Sequence, residues 1–174
     1  MLAQIFGIGA MISLFLIYQQ KSRKKMLLCK LSADLFWIAH YFCLGAAAGM
    51  IPNFVGVFRE LVFLNRKTKR WASSPAWVVM FIALNVSLGM ASFQSWYDMI
   101  PIIASSFVTI SLWIDAPRLT KGISLPVSAC FLTYDSFVGS YIGMLNESLS
   151  ILSILFDFFK TYAKHTKEEK QHES

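Results

Sequence analysis

At 174 residues, 56% hydrophobic and only 15% charged, with a mean hydropathy of +0.53, the chain is too apolar for an ordinary soluble domain, in which charges make up about a quarter of the residues. That composition excludes a disordered tail, a nucleic-acid-binding module and most cytosolic enzymes of this size. The 16 Lys and Arg against 10 Asp and Glu are packed into short intervals between long apolar stretches, which is the pattern of a membrane protein.

A helix that crosses the hydrocarbon core needs about 20 apolar residues, with about 17 as the lower limit. The first such run is Leu2 to Tyr18, ahead of Lys21; no charged leader precedes it and a basic cluster follows it, so it is expected to be a membrane helix and not a signal peptide. Leu31 to Asn65 contains only Asp34, His40, Arg59 and Glu60 as ionisable groups, and at 35 residues it has to fold back on itself. Ala46 to Asn53, with Gly49, Pro52 and Asn53, is the expected turn. Trp71 to Ile114 carries one charge, Asp98, and divides into spans near Ala76 to Phe93 and Met99 to Ile114. Gly122 to Phe159 divides at Gly139 to Asn146. The tail, His165 to Ser174, alternates charges and reads as a solvated helix end or disordered chain. The sum is seven helices. Cys29, Cys43 and Cys130 sit in or beside apolar runs without pairwise spacing, so neither a disulfide framework nor a metal site is expected, and no cofactor.

The distribution of Lys and Arg tests that count, because short loops rich in them stay on the cytoplasmic side. Lys21, Arg23, Lys24, Lys25 and Lys30 fall in the first loop, Arg66, Lys67, Lys69 and Arg70 in the third, Arg118 and Lys121 in the fifth, and Lys160, Lys164, Lys167 and Lys170 in the tail. The other loops hold none. Fifteen of the 16 thus share one side, with Arg59 inside the third span two turns from it. The expected topology is multi-pass, amino terminus outside, carboxyl terminus in the cytoplasm. An internal repeat refines the picture: an offset of 94 residues sets Gly45 on Gly139, Gly49 on Gly143, Met50 on Met144, Ile8 on Ile102 and Ala10 on Ala104, and leaves the fourth span without a counterpart. Two like-oriented triplets joined by one helix form a recurring transporter architecture.

This three-one-three layout resembles the SWEET and PQ-loop class of small carriers. The run His40-Tyr-Phe-Cys-Leu-Gly45, the Arg59 that follows and the stretch from Trp96 to Pro101 more closely resemble the YgjV-like family of bacterial inner-membrane proteins, over Phe6 to about Lys160. What the wider class implies is a substrate pathway between two three-helix bundles. The positions at which sugar carriers of that class place Trp and Asn hold Tyr41 with Asp135, and Gly56 with Ser150, so a sugar is not the expected solute.

Ionisable groups at membrane depth default to cavities, partners or ion paths. His40 and Asp135 lie on the middle helices of the two triplets, where the resemblance implies that they flank the pathway; with Tyr41 and Tyr134 they are the candidate pathway residues, and a His beside a carboxylate is suited to moving protons. The alternative is a satisfied interior His and a locally bonded Asp. Asn53 and Glu147 occupy matching positions, either rimming the external mouth or capping helix amino termini. Arg59 and Asp157 form a candidate inner gate, unless Arg59 pairs with Glu60 or snorkels to headgroups. The Ser and Thr of the fifth and sixth spans suit helices facing protein or water. Phosphate-loop, zinc-protease and nucleophile-elbow motifs are missing, so no enzyme is expected.

The expectation is therefore an all-α polytopic membrane protein with seven transmembrane helices. Residues 1–66 form a first triple-helix bundle, 67–97 a basic loop and linker helix, 98–164 a second parallel bundle, and 165–174 a polar cytoplasmic tail. Its partners are the bilayer, a small polar solute of unknown identity and protons, with no nucleic acid. The runner-up function is a non-transporting receptor or assembly partner of the same fold.

Overall fold

The computed structural model describes residues 2–19, 23–114 and 117–172, and within them leaves out the side chains of 17–19, 23, 24, 26, 27, 117, 118, 121, 157 and 160–172. Every element among these residues is helical: α1 (Leu2–Gln19), α2 (Arg23–Leu44), α3 (Ala47–Asn65), α4 (Ala76–Ala91), α5 (Met99–Ile114), α6 (Pro117–Val138) and α7 (Tyr141–His172), with 3-10 turns at Arg70–Ser73 and Trp96–Asp98. Two segments, Ala47–Asn65 and Trp96–Ile114, are long and apolar enough to cross a membrane by themselves; Leu2–Leu16, Ala76–Ala91, Gly122–Val138 and Tyr141–Phe156 are shorter apolar helices.

The breaks between α2 and α3 and between α6 and α7 are tighter than expected. Gly45 takes φ 68 and Gly139 φ 71, the left-handed conformation that glycine adopts without a Cβ penalty. Beyond α2, Gly45 N–H donates to the Phe42 carbonyl and Ala46 N–H to the Tyr41 carbonyl, at 3.0 and 2.9 Å, a Schellman cap that closes the helix. Ser140 N–H repeats the second bond to the Asp135 carbonyl at 2.9 Å. The chain then re-enters a helix within two residues. The expected turns at 46–53 and 139–146 are thus corrected to 45–46 and 139–140: Pro52 and Asn53 lie inside α3, and Glu147 inside α7. A single left-handed glycine reverses the chain by itself, so the polar residues downstream stay helical. The backbone of the tail is helical to His172.

Around the molecule, α1 touches α2, α2 touches α3, α3 touches α5, α5 touches α6, α6 touches α7 and α7 touches α1, while α4 lies against α3 and α5. Exchanging α1, α2 and α3 with α5, α6 and α7 leaves that cycle unchanged, as the 94-residue offset requires. Asn85 of α4 donates to the Ile102 carbonyl at 3.0 Å, and Asp98 caps the approach to α5 by accepting from the Gln94 and Ser95 amides at 2.9 Å each. One apolar cluster gathers Ala10, Ala33, Trp37, Tyr41 and Tyr134, and a second Val55, Val62, Phe63 and Phe81.

Polarity is distributed inside out. Large apolar side chains point outward on all seven helices, among them Leu2, Phe42, Phe58, Val79, Phe107, Phe137 and Phe156, whereas Asp34, His40, Arg59, Glu60, Asn85 and Asp135 are buried. A water-soluble monomer does not expose apolar surface on that extent, and lipid rewards it.

Candidate functional site

The two Schellman caps place Tyr41 and Asp135 at the same position of their motifs, three residues before each helix end, and these repeat-related residues meet. The Tyr41 hydroxyl donates to Asp135 Oδ1 at 2.7 Å. One residue earlier on α2, His40 Nδ1 lies 2.7 Å from the Ala3 carbonyl and Nε2 2.7 Å from Ser140 Oγ. A carbonyl only accepts, so Nδ1 carries the hydrogen and Nε2 is the position that loads or releases a proton. Ser140 Oγ and Asp135 Oδ2 crowd the same glycine, each standing where a Cβ on Gly143 would run into it. The His40–Ser140 and Tyr41–Asp135 pairs therefore lie side by side at the seam between α2 and α6.

The serine hydroxyl has a single hydrogen: with neutral imidazole it donates to Nε2, and with Nε2 protonated it accepts from it. Trp37 holds the imidazole edge-on at 5.1 Å and stacks on Tyr41 at 5.8 Å, so the rings have little freedom to leave line.

Close backbone approach makes the arrangement possible. A Cβ on Gly49 would stand 2.7 Å from a Tyr134 ring carbon and 2.8 Å from Tyr41, and one on Gly143 would collide with Asp135 and Ser140. The aligned glycines thus serve the two sides of one seam. Gly49 N–H donates to the Tyr134 hydroxyl at 2.8 Å, and Tyr134 lies behind a cleft of about 180 Å³ walled by Leu44, Ala46, Ser92, Ser95 and Tyr97. The four candidate pathway residues, His40, Tyr41, Tyr134 and Asp135, accordingly converge. They are sealed from the cleft, with Tyr134 and His40 at 0% and Asp135 at 1% exposure.

The remaining candidates are placed elsewhere. Asn53 donates to the Gly49 carbonyl one turn back at 2.9 Å, and Glu147 accepts from the Asn146 side-chain amide at 3.0 Å. Both stand beyond the first turn of their helices and off the cleft wall, so they neither cap an amino terminus nor rim that opening; the short glycine breaks moved the helix starts upstream of them. Arg59 is buried, donating to Thr109 Oγ1 of α5 at 3.0 Å with its other nitrogen 3.6 Å from Glu60 Oε1. Asp157 lies on α7, but its side chain is outside the described residues, and Arg59 is occupied by Thr109 and Glu60.

Two features escaped the sequence reading. Ser140 stood only among several hydroxyls of α6, although its place beside a left-handed glycine at the repeat position was a usable signal. Lys30, expected in the first loop, belongs to α2: its ammonium bridges Asp34 at 2.5 Å and Glu60 Oε1 at 3.1 Å. The four-residue spacing of Lys30 and Asp34 on one helix face was the clue.

An all-helical chain with an apolar exterior and a polar, ionisable interior defines an integral membrane protein. The chain matches the Imp-YgjV family, described as bacterial inner membrane protein, over residues 1–165, and it belongs to that family. No curated protein and no solved structure matches it.

Proposed function

We propose that this protein is a seven-span carrier for a small polar solute, coupled to protons, with its pathway along the seam between a first bundle of residues 1–66 and a second of residues 98–164. Residues 67–97 supply the linker helix that gives both triplets the same orientation. The observation that carries the reading is the buried cluster of His40, Ser140, Asp135 and Tyr41: titratable groups at depth, bonded across the seam between α2 and α6, beside a cleft of about 180 Å³. Keeping such groups in a membrane costs about 2.5–3.5 kcal/mol each on insertion scales, which apolar packing would avoid, so their retention speaks for use. The amino terminus outside, the tail in the cytoplasm and the absence of enzyme chemistry belong to the same reading.

The tight packing of that seam favours a second reading, a receptor or assembly partner of the same fold that moves nothing. Purified protein in liposomes carrying an internal pH dye separates the two. The carrier reading expects proton flux under an imposed gradient, lost in His40→Ala and Asp135→Asn; wild-type vesicles as tight as empty ones under every gradient and candidate solute overturn it.

A further inference from the structure

A second group of ionisable side chains, apart from the His40 and Asp135 cluster, joins α2, α3 and α5. Lys30 and Asp34 come from α2, Arg59 and Glu60 from α3, and Thr109 from α5 receives the Arg59 guanidinium. Asp34, Arg59 and Glu60 are 1, 3 and 1% exposed, whereas the Lys30 side chain keeps 27%. The buried three are incompletely satisfied: Asp34 Oδ2, Arg59 Nε and both Glu60 oxygens lack a hydrogen bond, Glu60 Oε1 being held only by its ion pairs with Lys30 and Arg59. Four of the seven such atoms among the described residues are concentrated here, although buried polar atoms are ordinarily paired. Gly56 allows the crowding, since a Cβ there would stand 2.6 Å from Asp34 Oδ2.

We infer that Asp34 and Glu60 form a binding site for a small primary ammonium cation, in which the Lys30 ammonium is a tethered and displaceable occupant. Charge dictates the valence. With both carboxyls ionised and Lys30 withdrawn, the core of Asp34, Glu60 and Arg59 carries a net charge of −1, so one monovalent cation restores neutrality and a divalent one overshoots it. Hydrogen bonding dictates the chemistry: the occupant places N–H donors between two carboxylates, with acceptor oxygens still unfilled around it, and a quaternary ammonium has no hydrogen to offer them. Access dictates which member yields. Lys30 alone among the charged four reaches the surface, on a flexible stem that can carry its charge back to water. The inference stands apart from the carrier reading, because binding requires no flux.

The test is thermal unfolding of the purified full-length protein in detergent, titrated with ethylammonium chloride and, at equal ionic strength, with tetramethylammonium chloride. Lys30→Ala is expected to show a saturable rise in melting temperature with ethylammonium and none with tetramethylammonium. Wild type should need at least about tenfold more ethylammonium, because the empty site is its minor state. Adding Asp34→Asn or Glu60→Gln to Lys30→Ala should abolish the response. A flat titration of Lys30→Ala, or equal responses to the two cations, overturns the inference. If Lys30→Ala does not fold, Lys30→Gln carries the same titration with the same outcomes. Flux failing in liposomes while this titration succeeds rejects the carrier alone, and the reverse rejects the ammonium site alone.

Discussion

Asp135 illustrates how one side chain depends on its partners. Tyr41 is its donor from across the seam, so Tyr41→Phe leaves a buried acceptor short and is expected to lower stability by about 1–3 kcal/mol, read as a melting shift in detergent. Ser140→Ala should act differently. It removes the hydroxyl bonded to His40 Nε2 while sparing the Tyr41 bond at 2.7 Å, so under the carrier reading a modest stability loss should accompany loss of proton flux, and unchanged flux would show that the serine is not on the path. The ion group obeys the harsher rule for buried charge. Arg59→Met leaves Glu60 with only the Lys30 ammonium at 3.1 Å and should cost up to about 3–5 kcal/mol, whereas Arg59→Met combined with Glu60→Gln should cost less than the sum of the two singles. Strictly additive losses in that cycle would mean that the 3.6 Å pair is not an energetic one.

The helix breaks at 45 and 139 are built alike. Gly45 and Gly139 do the same work 94 residues apart, and each holds a conformation that costs an L-residue about 1–2 kcal/mol. Gly45→Ala and Gly139→Ala should therefore destabilise the protein by about that amount each, although a Cβ at either position meets nothing within 4 Å. Gly122, on α6, also faces open space but has ordinary helical backbone, so Gly122→Ala should be neutral or stabilising by up to about 1 kcal/mol. Equal behaviour of the three variants in the same melting assay would remove backbone conformation as the reason for glycine at the breaks. Gly49 and Gly143 belong to another category: their φ is unremarkable, and the constraint on them is the aromatic and carboxyl side chains pressed against α3 and α7. Substitution there should disturb the seam itself.

Taken whole, the protein has two polar fastenings between its halves. Near the glycine breaks, α2 and α3 are tied to α6 and α7 through Tyr41, His40 and the Gly49 amide. Farther down α3, Arg59 reaches Thr109, and Arg66 donates to the Trp113 carbonyl while its guanidinium lies 3.8 Å over the Trp113 ring. Under the carrier reading these are the outer and inner closures, and both are shut in this state. The topology has its own test. Reporter fusions after Lys69 and at the carboxyl terminus should be active on the cytoplasmic side, and fusions at Gly45 and Gln94 on the periplasmic side; a periplasmic tail would reverse the assignment of the closures.

Properties carried by neighbouring residues were legible in the chain itself. Apolar run length foreshadowed an all-helical membrane protein, the run His40 to Gly45 with Arg59 and the stretch Trp96 to Pro101 carried the resemblance to its family, and that resemblance implied that His40 and Asp135 flank one seam. Each of these depends on hydrophobic transfer or backbone conformation over a turn or two, which a linear string records. Partnership between helices was settled by packing alone: Ser140 as the partner of His40, Thr109 as the seat of Arg59, and Lys30 drawn from an expected loop into a buried ion group. The rotation and depth at which two helices meet decide which atoms come within 3 Å. Those two quantities arise from the sum of many weak side-chain contacts along both helices, and no single residue spacing encodes them.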